Sequence, residues 1–321
     1  MTLLTALVYL LVGFVLLVWS ADRLVAGASA LARHFGVSAL VVGVTIVGFG
    51  TSAPEMVVSA LASLEGNPSL AVGNALGSNI ANIGLILGLT GLVYPMSVDR
   101  STCTRELPLL AAVTALTAIL MVNGSLSRVD GLFLAGGLAA FIGLMILRGR
   151  HGAGVDSATQ ALMSEISHDM PAGRAAAWTV VGLIVLPISA QILVDGAIGM
   201  ARLLGVTEAV IGLTIVALGT SLPELAAAIA SALRREDDLC IGNILGSNLF
   251  NLLGVLGIAA LIHPMDIERI LIVRDLPVMT LTFMMLAAMA MFAERVGRAG
   301  AALLLTTYVV YQFAVFQEAL G

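Results

Sequence analysis

Two short segments combine residue types that apolar helices normally exclude. One reads GTSAPE from Gly50 to Glu55, and the other reads GTSLPE from Gly219 to Glu224. Proline removes a backbone donor and clashes with the carbonyl one turn back, and glycine lets the chain deviate there. The carbonyls freed by such a break, the hydroxyls and the carboxylate are hard oxygen ligands, which suit Na⁺ or Ca²⁺ rather than Zn²⁺ or Cu²⁺. Together the two segments predict a site for hard cations.

A second pair of segments follows the first and adds amide oxygens. GNALGSNIAN begins at Gly73, and GNILGSNLFN begins at Gly242. All four segments repeat at a single offset of 169 residues, which continues without a gap as far as Pro108 and Pro277. A match of this length at one offset does not arise by chance. The chain is therefore an internal duplication, and the cation site is duplicated with it.

The composition places these segments in a membrane. Of the 321 residues, 59% are hydrophobic and 11% are charged, and the mean hydropathy is +1.05, whereas a soluble domain carries about 25% charged residues. Apolar runs of about 20 residues, enough to cross a hydrocarbon core about 30 Å thick, recur along the chain. We predict an all-α membrane protein with ten transmembrane helices, of which helices two, three, seven and eight are broken around a central cation site. The ten helices are expected near 3–33, 38–64, 70–93, 105–123, 129–148, 175–203, 207–233, 239–262, 273–293 and 299–318.

Turn and charged residues divide the chain into three parts. We predict a first five-helix repeat at 1–147, a linker at 148–174 and a second five-helix repeat at 175–321. Because five is odd, the second repeat must enter the membrane from the opposite side, so the halves are inverted repeats about a pseudo-two-fold axis in the membrane plane. Loop arginines without a repeat-related counterpart lie mostly on the linker side, and cytoplasmic loops are enriched in such residues. We therefore predict a multi-pass protein of the cell (inner) membrane, with both termini outside and the linker in the cytoplasm.

The inverted repeats would bring Glu55 and Glu224 together near the middle of the membrane. An isolated ionised carboxylate there costs several kcal/mol or more, and two facing carboxylates cost still more. One divalent cation neutralises both charges, and so do two monovalent cations or two protons. Because these occupants compete for the same oxygens, the pair of glutamates predicts an exchanger.

On these motifs the sequence resembles the cation/calcium antiporter superfamily, and most closely its prokaryotic sodium/calcium exchangers. GTSAPE with GNALGSNIAN is similar to the first repeat motif of that family, and GTSLPE with GNILGSNLFN is similar to the second. The resemblance covers the whole chain. It implies four cation sites in a diamond between the broken helices, and it implies that helices one and six slide across the other eight. The cation ligands that it implies, by side chain or by backbone carbonyl, are Gly48, Thr51, Ser52, Glu55, Ser78, Asn82, Ala217, Thr220, Ser221, Glu224, Ser247 and Asn251.

One position departs from the pattern of the family. Some members carry Asp at the position of Asn251, and that acid goes with a third negative charge or with dependence on potassium. Asn251 therefore argues against potassium co-transport. It also leaves the ion stoichiometry open.

The residues and the resemblance together predict a secondary-active antiporter, not an enzyme, that exports Ca²⁺ in exchange for Na⁺ by alternating access. The implied partners are the lipid bilayer and these two ions, and we expect no cofactor and no nucleic acid. A proton/calcium antiporter using the same two glutamates is the main alternative. The Thr and Ser hydroxyls and the carbonyl oxygens favour Na⁺, because a proton does not need to be surrounded by oxygen ligands. A calcium channel could use the same oxygens, but inverted repeats with broken helices are typical of transporters. Whether the divalent substrate is Ca²⁺ or another cation stays open, and so does the oligomeric state.

Overall fold

The computed structural model describes residues 2–66, 68–150, 170–205 and 217–320. These residues form ten helices, with two-residue strands in the loops between some of them. Nine helices in this part of the chain are long and apolar enough to cross a membrane, so the prediction of an all-α membrane protein is confirmed. The helices are α1 (Leu3–Phe35), α2 (Ala39–Leu64), α3 (Leu70–Val93), α4 (Arg100–Met121), α5 (Arg128–Arg150), α6 (Ala172–Leu203), α7 (Leu222–Leu233), α8 (Asp237–Ile262), α9 (Leu271–Ala293) and α10 (Arg298–Leu320).

Two of the sequence predictions fall partly outside the described residues. The helix predicted at 207–233 is described from its short turn Ala217–Gly219 through α7. The linker predicted at 148–174 lies mostly in the range 151–169, which is not described. The boundaries between the two repeats therefore stay a prediction.

Equivalent glycines end the equivalent helices α1 and α6. Gly36 (φ 63°) and Gly205 (φ 77°) both adopt the left-handed conformation, which glycine reaches without steric strain. The N–H of Gly36 donates to the carbonyls of Ala32 and Arg33 and so closes the last turn of α1. The duplication thus extends to how these helices stop.

Four short strands show that the two repeats are inverted. Strand β1 (Met96–Ser97), which follows α3, pairs with β4 (Arg295–Val296), and β2 (Ser125–Leu126) pairs with β3 (Met265–Asp266), which follows α8. Because α4 crosses the membrane between β1 and β2, these two pairs lie on opposite faces. The equivalent helices α3 and α8 therefore end on opposite faces, as inverted repeats require. We call the face that carries β1 and β4 the linker face, since α5 also ends there and α6 begins there.

Helices α1 and α6 pack against each other through repeat-related glycines. A Cβ on Gly13 would lie 2.6 Å from the backbone nitrogen of Leu193, and a Cβ on Gly182 would lie 2.6 Å from the Cβ of Leu24. The offset of 169 residues relates these two contacts to each other. Between them the hydroxyl oxygens of the equivalent residues Ser20 and Ser189 lie 3.4 Å apart. The pseudo-two-fold axis therefore passes between α1 and α6.

Helices α2 and α8 approach each other so closely that backbone touches backbone. A Cβ on Gly43 would lie 2.6 Å from the carbonyl oxygen of Leu239, and a Cβ on Gly242 would lie 2.5 Å from that of Leu40. A Cβ on Gly246 would overlap the carbonyl oxygen of Val44. Only glycine permits this distance between helix axes. The contact lies in the part of α2 and α8 that is toward the linker face.

The predicted helix breaks take another form in three of the four helices. Helix α2 continues through Pro54, and its deviation is a π-helical segment at Gly43–Val47. Helices α3 and α8 also stay helical and contain π-helical segments at Ala81–Leu87 and Phe250–Val255. Before α7 the helix is interrupted by a turn at Thr220 and Ser221. A widened turn changes the direction of side chains while it keeps most backbone groups bonded, which costs less inside a membrane than an unwound segment.

Candidate functional site

Glu55 on α2 and Glu224 on α7 lie close together in the interior. Their exposed fractions are 1% and 2%. The hydroxyl of Ser52, one turn before Glu55, donates to Oε1 of Glu224 at 3.4 Å. The structure thus brings together the two acids that the sequence predicted to meet.

Thr51 joins α2 to α8 at the same place. Its hydroxyl lies 3.3 Å from the hydroxyl oxygen of Ser247 and donates to Oδ1 of Asn243 at 3.2 Å. It also lies 3.4 Å from the carbonyl oxygen of Gly48, one turn earlier on α2. All of these groups are buried. Hydroxyl, amide and carbonyl oxygens therefore gather beside the carboxylates.

Asn82 on α3 and Asn251 on α8 each contact an amide from the opposite repeat. Nδ2 of Asn82 donates to Oδ1 of Asn248 at 3.3 Å. Nδ2 of Asn251 donates to Oδ1 of Asn79 at 3.1 Å. The two bonds are related by the offset of 169 residues, so the amides follow the same pseudo-symmetry as the glutamates.

Four buried oxygens near the centre have no hydrogen-bond partner among the described residues. They are Oε2 of Glu55, Oε2 of Glu224, Oδ1 of Asn82 and Oδ1 of Asn251. A buried acceptor without a partner costs about 1–3 kcal/mol, and more when it is charged. Such atoms are rare in folded proteins and call for an explanation. Two carboxylate and two amide oxygens form a donor set for a hard cation.

The other predicted ligands differ in how deeply they are buried. Ser78 is buried on α3, and Ser221 is buried at the turn before α7, where Thr220 is half-buried. Ala217 begins the short turn that precedes them. Of the predicted hydroxyl ligands, Thr51 and Ser247 are thus in direct contact, and Ser78 and Ser221 are buried.

Comparison with known proteins decides the family. A family model described as sodium/calcium exchanger protein matches residues 5–147 and 174–317, which is most of the chain. The chain belongs to this family. The resemblance carried by the duplicated motifs is thereby confirmed. The family consists of exchangers, which are transporters rather than enzymes.

Similar proteins cover the chain from end to end. The putative antiporter CaxA of Alkalimonas amylolytica is 43% identical over 319 residues, which make up 98% of this chain and 100% of that protein. The inner membrane protein YrbG of Escherichia coli (strain K12) is 44% identical, over 89% of this chain and 88% of its own length. A solved structure of the sodium-calcium exchanger NCX_Mj, soaked with zero Na⁺ and Ca²⁺, is 31% identical and superimposes with a TM-score of 0.83, over 98% of this chain and 100% of that one. The fold of this family member is therefore the fold of a known exchanger.

Sequence analysis overlooked three asparagines of this exchanger family member whose side chains bond side chains of the predicted ligands, and a fourth, Asn74, which donates to the main-chain carbonyl of Glu55 at 3.3 Å. Asn79 and Asn248 bond the amides of Asn251 and Asn82, and Asn243 accepts from Thr51. All four belong to the segments GNALGSNIAN and GNILGSNLFN, which repeat at the same offset as the predicted ligands. The signal was therefore present in the duplication. Spacing alone could not tell a residue that faces the centre from one that supports it.

Proposed function

We propose that the protein exports Ca²⁺ in exchange for Na⁺ by alternating access. The observation that carries the proposal is the set of four buried oxygens, on Glu55, Glu224, Asn82 and Asn251, that have no hydrogen-bond partner in the described part of the chain. A cation between them would supply the missing partner, and a divalent cation would neutralise both carboxylates. Membership of the sodium/calcium exchanger family supports these two ions as the substrates.

In this proposal Ca²⁺ binds between Glu55 and Glu224, and Na⁺ binds where hydroxyl and carbonyl oxygens converge on the same carboxylates. The arrangement of Thr51, whose hydroxyl meets that of Ser247 at 3.3 Å, supports one such place. Because both ions use the glutamate oxygens, they bind in turn and not together. The remaining proposed ligands are Gly48, Ser52, Ser78, Asn82, Ala217, Thr220, Ser221 and Asn251.

Alternating access requires that one face close while the other opens. In this proposal the backbone contact of α2 with α8 at Gly43, Gly242 and Gly246 is the barrier between the site and the linker face. Helices α1 and α6 pack mainly against each other, through Gly13 and Gly182. We propose that this pair slides as a unit across the other helices once the two glutamates are neutralised.

A proton/calcium antiporter is the second candidate, and the same two carboxylates favour it. Two buried acids close together can be neutralised by two protons as well as by two sodium ions. The hydroxyls of Thr51, Ser52 and Ser247 support sodium instead, since a proton on a carboxylate needs no further oxygen ligands.

Radiocalcium uptake into proteoliposomes distinguishes these candidates. Vesicles loaded with Na⁺ are compared with vesicles loaded with choline, with and without an outward proton gradient, and protein-free vesicles serve as the control. We expect uptake with internal Na⁺ alone. Uptake that needs only the proton gradient would replace Na⁺ by H⁺ in the mechanism. Uptake into choline vesicles without any gradient would contradict exchange and indicate a channel.

The proposal places the linker face in the cytoplasm, because the loop arginines that have no counterpart in the other repeat concentrate there. Two exposed turns on opposite faces test this orientation, Asn123 beside β2 and Arg235 between α7 and α8. With Cys103 replaced by Ala, we expect N123C to react with a membrane-impermeant maleimide on intact cells. R235C should react only after the cells are broken. The reverse pattern would invert the orientation.

A further inference from the structure

The amides of Asn82 and Asn251 can each point in two ways. An asparagine side chain exchanges its acceptor oxygen for its NH₂ group when it rotates by half a turn. Only one orientation offers an oxygen to a cation, and the other directs two N–H donors at a positive charge. In this structure both amides keep Oδ1 buried, and neither oxygen has a hydrogen-bond partner among the residues that the structure describes. Their orientation must therefore be held by the groups that bind the NH₂ end.

We propose that Asn79 and Asn248 are positioning residues that hold these two amides with the oxygen available to the cation. The inference rests on the proposed function of the site. Nδ2 of Asn251 donates to Oδ1 of Asn79 at 3.1 Å, and Nδ2 of Asn82 donates to Oδ1 of Asn248 at 3.3 Å. Each bond crosses from one repeat to the other, so each half of the chain orients a ligand of the other half.

The orientation of Asn79 is itself determined by the backbone. Its Nδ2 donates to the main-chain carbonyl oxygen of Asn248 at 3.3 Å and lies 3.6 Å from the sulfur of Met279. A carbonyl oxygen can only accept, so Asn79 must turn its NH₂ group toward α8 and its oxygen toward Asn251. A chain of fixed donors and acceptors thus runs from the α8 backbone through Asn79 to the amide of Asn251.

Burial makes these bonds decisive. The exposed fractions of Asn79 and Asn248 are 2% and 1%, and those of Asn82 and Asn251 are both 1%. At this depth, water cannot easily replace a lost partner. In metal sites, partners of this kind that hold the ligands typically contribute 10–100-fold to metal affinity.

A double-mutant cycle separates positioning from packing. Calcium and sodium binding to the purified full-length protein in detergent is measured by calorimetry for the wild type, N79L, N251D and the double variant. Leucine has the same branching and number of heavy side-chain atoms as Asn but no acceptor, so N79L should weaken calcium binding about tenfold or more. The carboxylate introduced by N251D has two equivalent oxygens and needs no orienting partner. In the N251D background, adding N79L should therefore reduce the calcium affinity much less than tenfold.

The outcomes are distinct. Unchanged calcium affinity in N79L would overturn the positioning role, and so would an equal loss in both backgrounds, which is the result of a packing defect. Wild-type protein that binds neither ion would overturn the proposed function, and the inference with it. Gel filtration and thermal unfolding check that each variant is folded. The repeat-related cycle of N248L with N82D gives the same test if N79L does not fold.

Discussion

Replacing Glu55 by Gln is expected to abolish calcium uptake into sodium-loaded proteoliposomes. Among the described residues no group of three or more His, Cys, Asp or Glu side chains is arranged to hold a metal ion, so we expect the site to rely on two carboxylates, Glu55 and Glu224. Gln keeps the shape of the side chain and removes half of that negative charge. Removing one partner from a buried pair of opposite charges, here the Glu55 carboxylate and Ca²⁺, costs about 3–5 kcal/mol. This free energy corresponds to at least about a hundredfold loss in calcium affinity.

Thermal unfolding shows whether this loss is a binding effect. The E55Q chain should be at least as stable as the wild type in ion-free buffer, because it no longer buries an unpaired carboxylate. Calcium should raise the Tm of the wild type but not that of E55Q, since a ligand stabilises only the protein that binds it. E224Q should behave in the same way.

Glu65 provides the matched control for E55Q. It lies just beyond the end of the same helix, α2, and its side chain is exposed. E65Q makes the same chemical change outside the site and should retain calcium uptake. Full uptake by E55Q would contradict both the ligand assignment and the proposal that neutralisation of the two glutamates permits movement.

Replacing Gly246 by Ala is expected to destabilise the protein and to reduce exchange strongly. The added Cβ would overlap the carbonyl oxygen of Val44 and lie 2.7 Å from its Cα. Both partners are backbone atoms in packed helices, so α2 and α8 must separate. Overpacking of this kind costs about 1–3 kcal/mol, and occasionally more. Because Ser247 follows directly, the shift would also move its hydroxyl away from Thr51.

The measurement compares the Tm in detergent with the calcium uptake of the same preparation. Gly136 on α5 is the control, since it is exposed and a Cβ there would meet no atom within 4 Å. G136A should leave both properties unchanged or raise the Tm slightly, because Ala favours helix over Gly by about 1 kcal/mol. Wild-type behaviour of G246A would show that the α2–α8 contact is looser than the structure has it.

The sequence by itself determined the architecture and the position of the acids. A membrane crossing needs about 20 apolar residues, so the apolar runs alone locate the individual helices along the chain. The offset of 169 residues, carried by Gly36 and Gly205 as well as by Glu55 and Glu224, implies two repeats of five helices. Five crossings leave no choice but inversion. These conclusions follow from the length of the apolar runs and from the repeat offset, both of which can be read from the sequence without knowing which helices pack together.

Only the tertiary structure decided how the helices deviate around the site. Pro54 predicted a break, yet α2 continues through it and widens at Gly43–Val47 instead. The paired strands β1 to β4 are two residues long, too short for an alternating pattern to show. Both features depend on the helix or strand that packs against the segment, as α8 packs against α2 at Gly246. The local sequence of a segment does not identify that partner.

Tertiary structure also decided which asparagine leaves its side-chain oxygen toward the centre and which one bonds a neighbouring amide. Asn79 and Asn82 stand three residues apart in the same motif and have the same donors and acceptors. The side-chain oxygen of Asn82 has no partner within the described ranges because Asn248 binds the NH₂ group of Asn82 instead, whereas Asn79 turns its own NH₂ group to the backbone of α8. The difference is made by hydrogen bonds between the two repeats. Such bonds join residues more than 160 positions apart, so no local pattern in the chain could have distinguished the two roles.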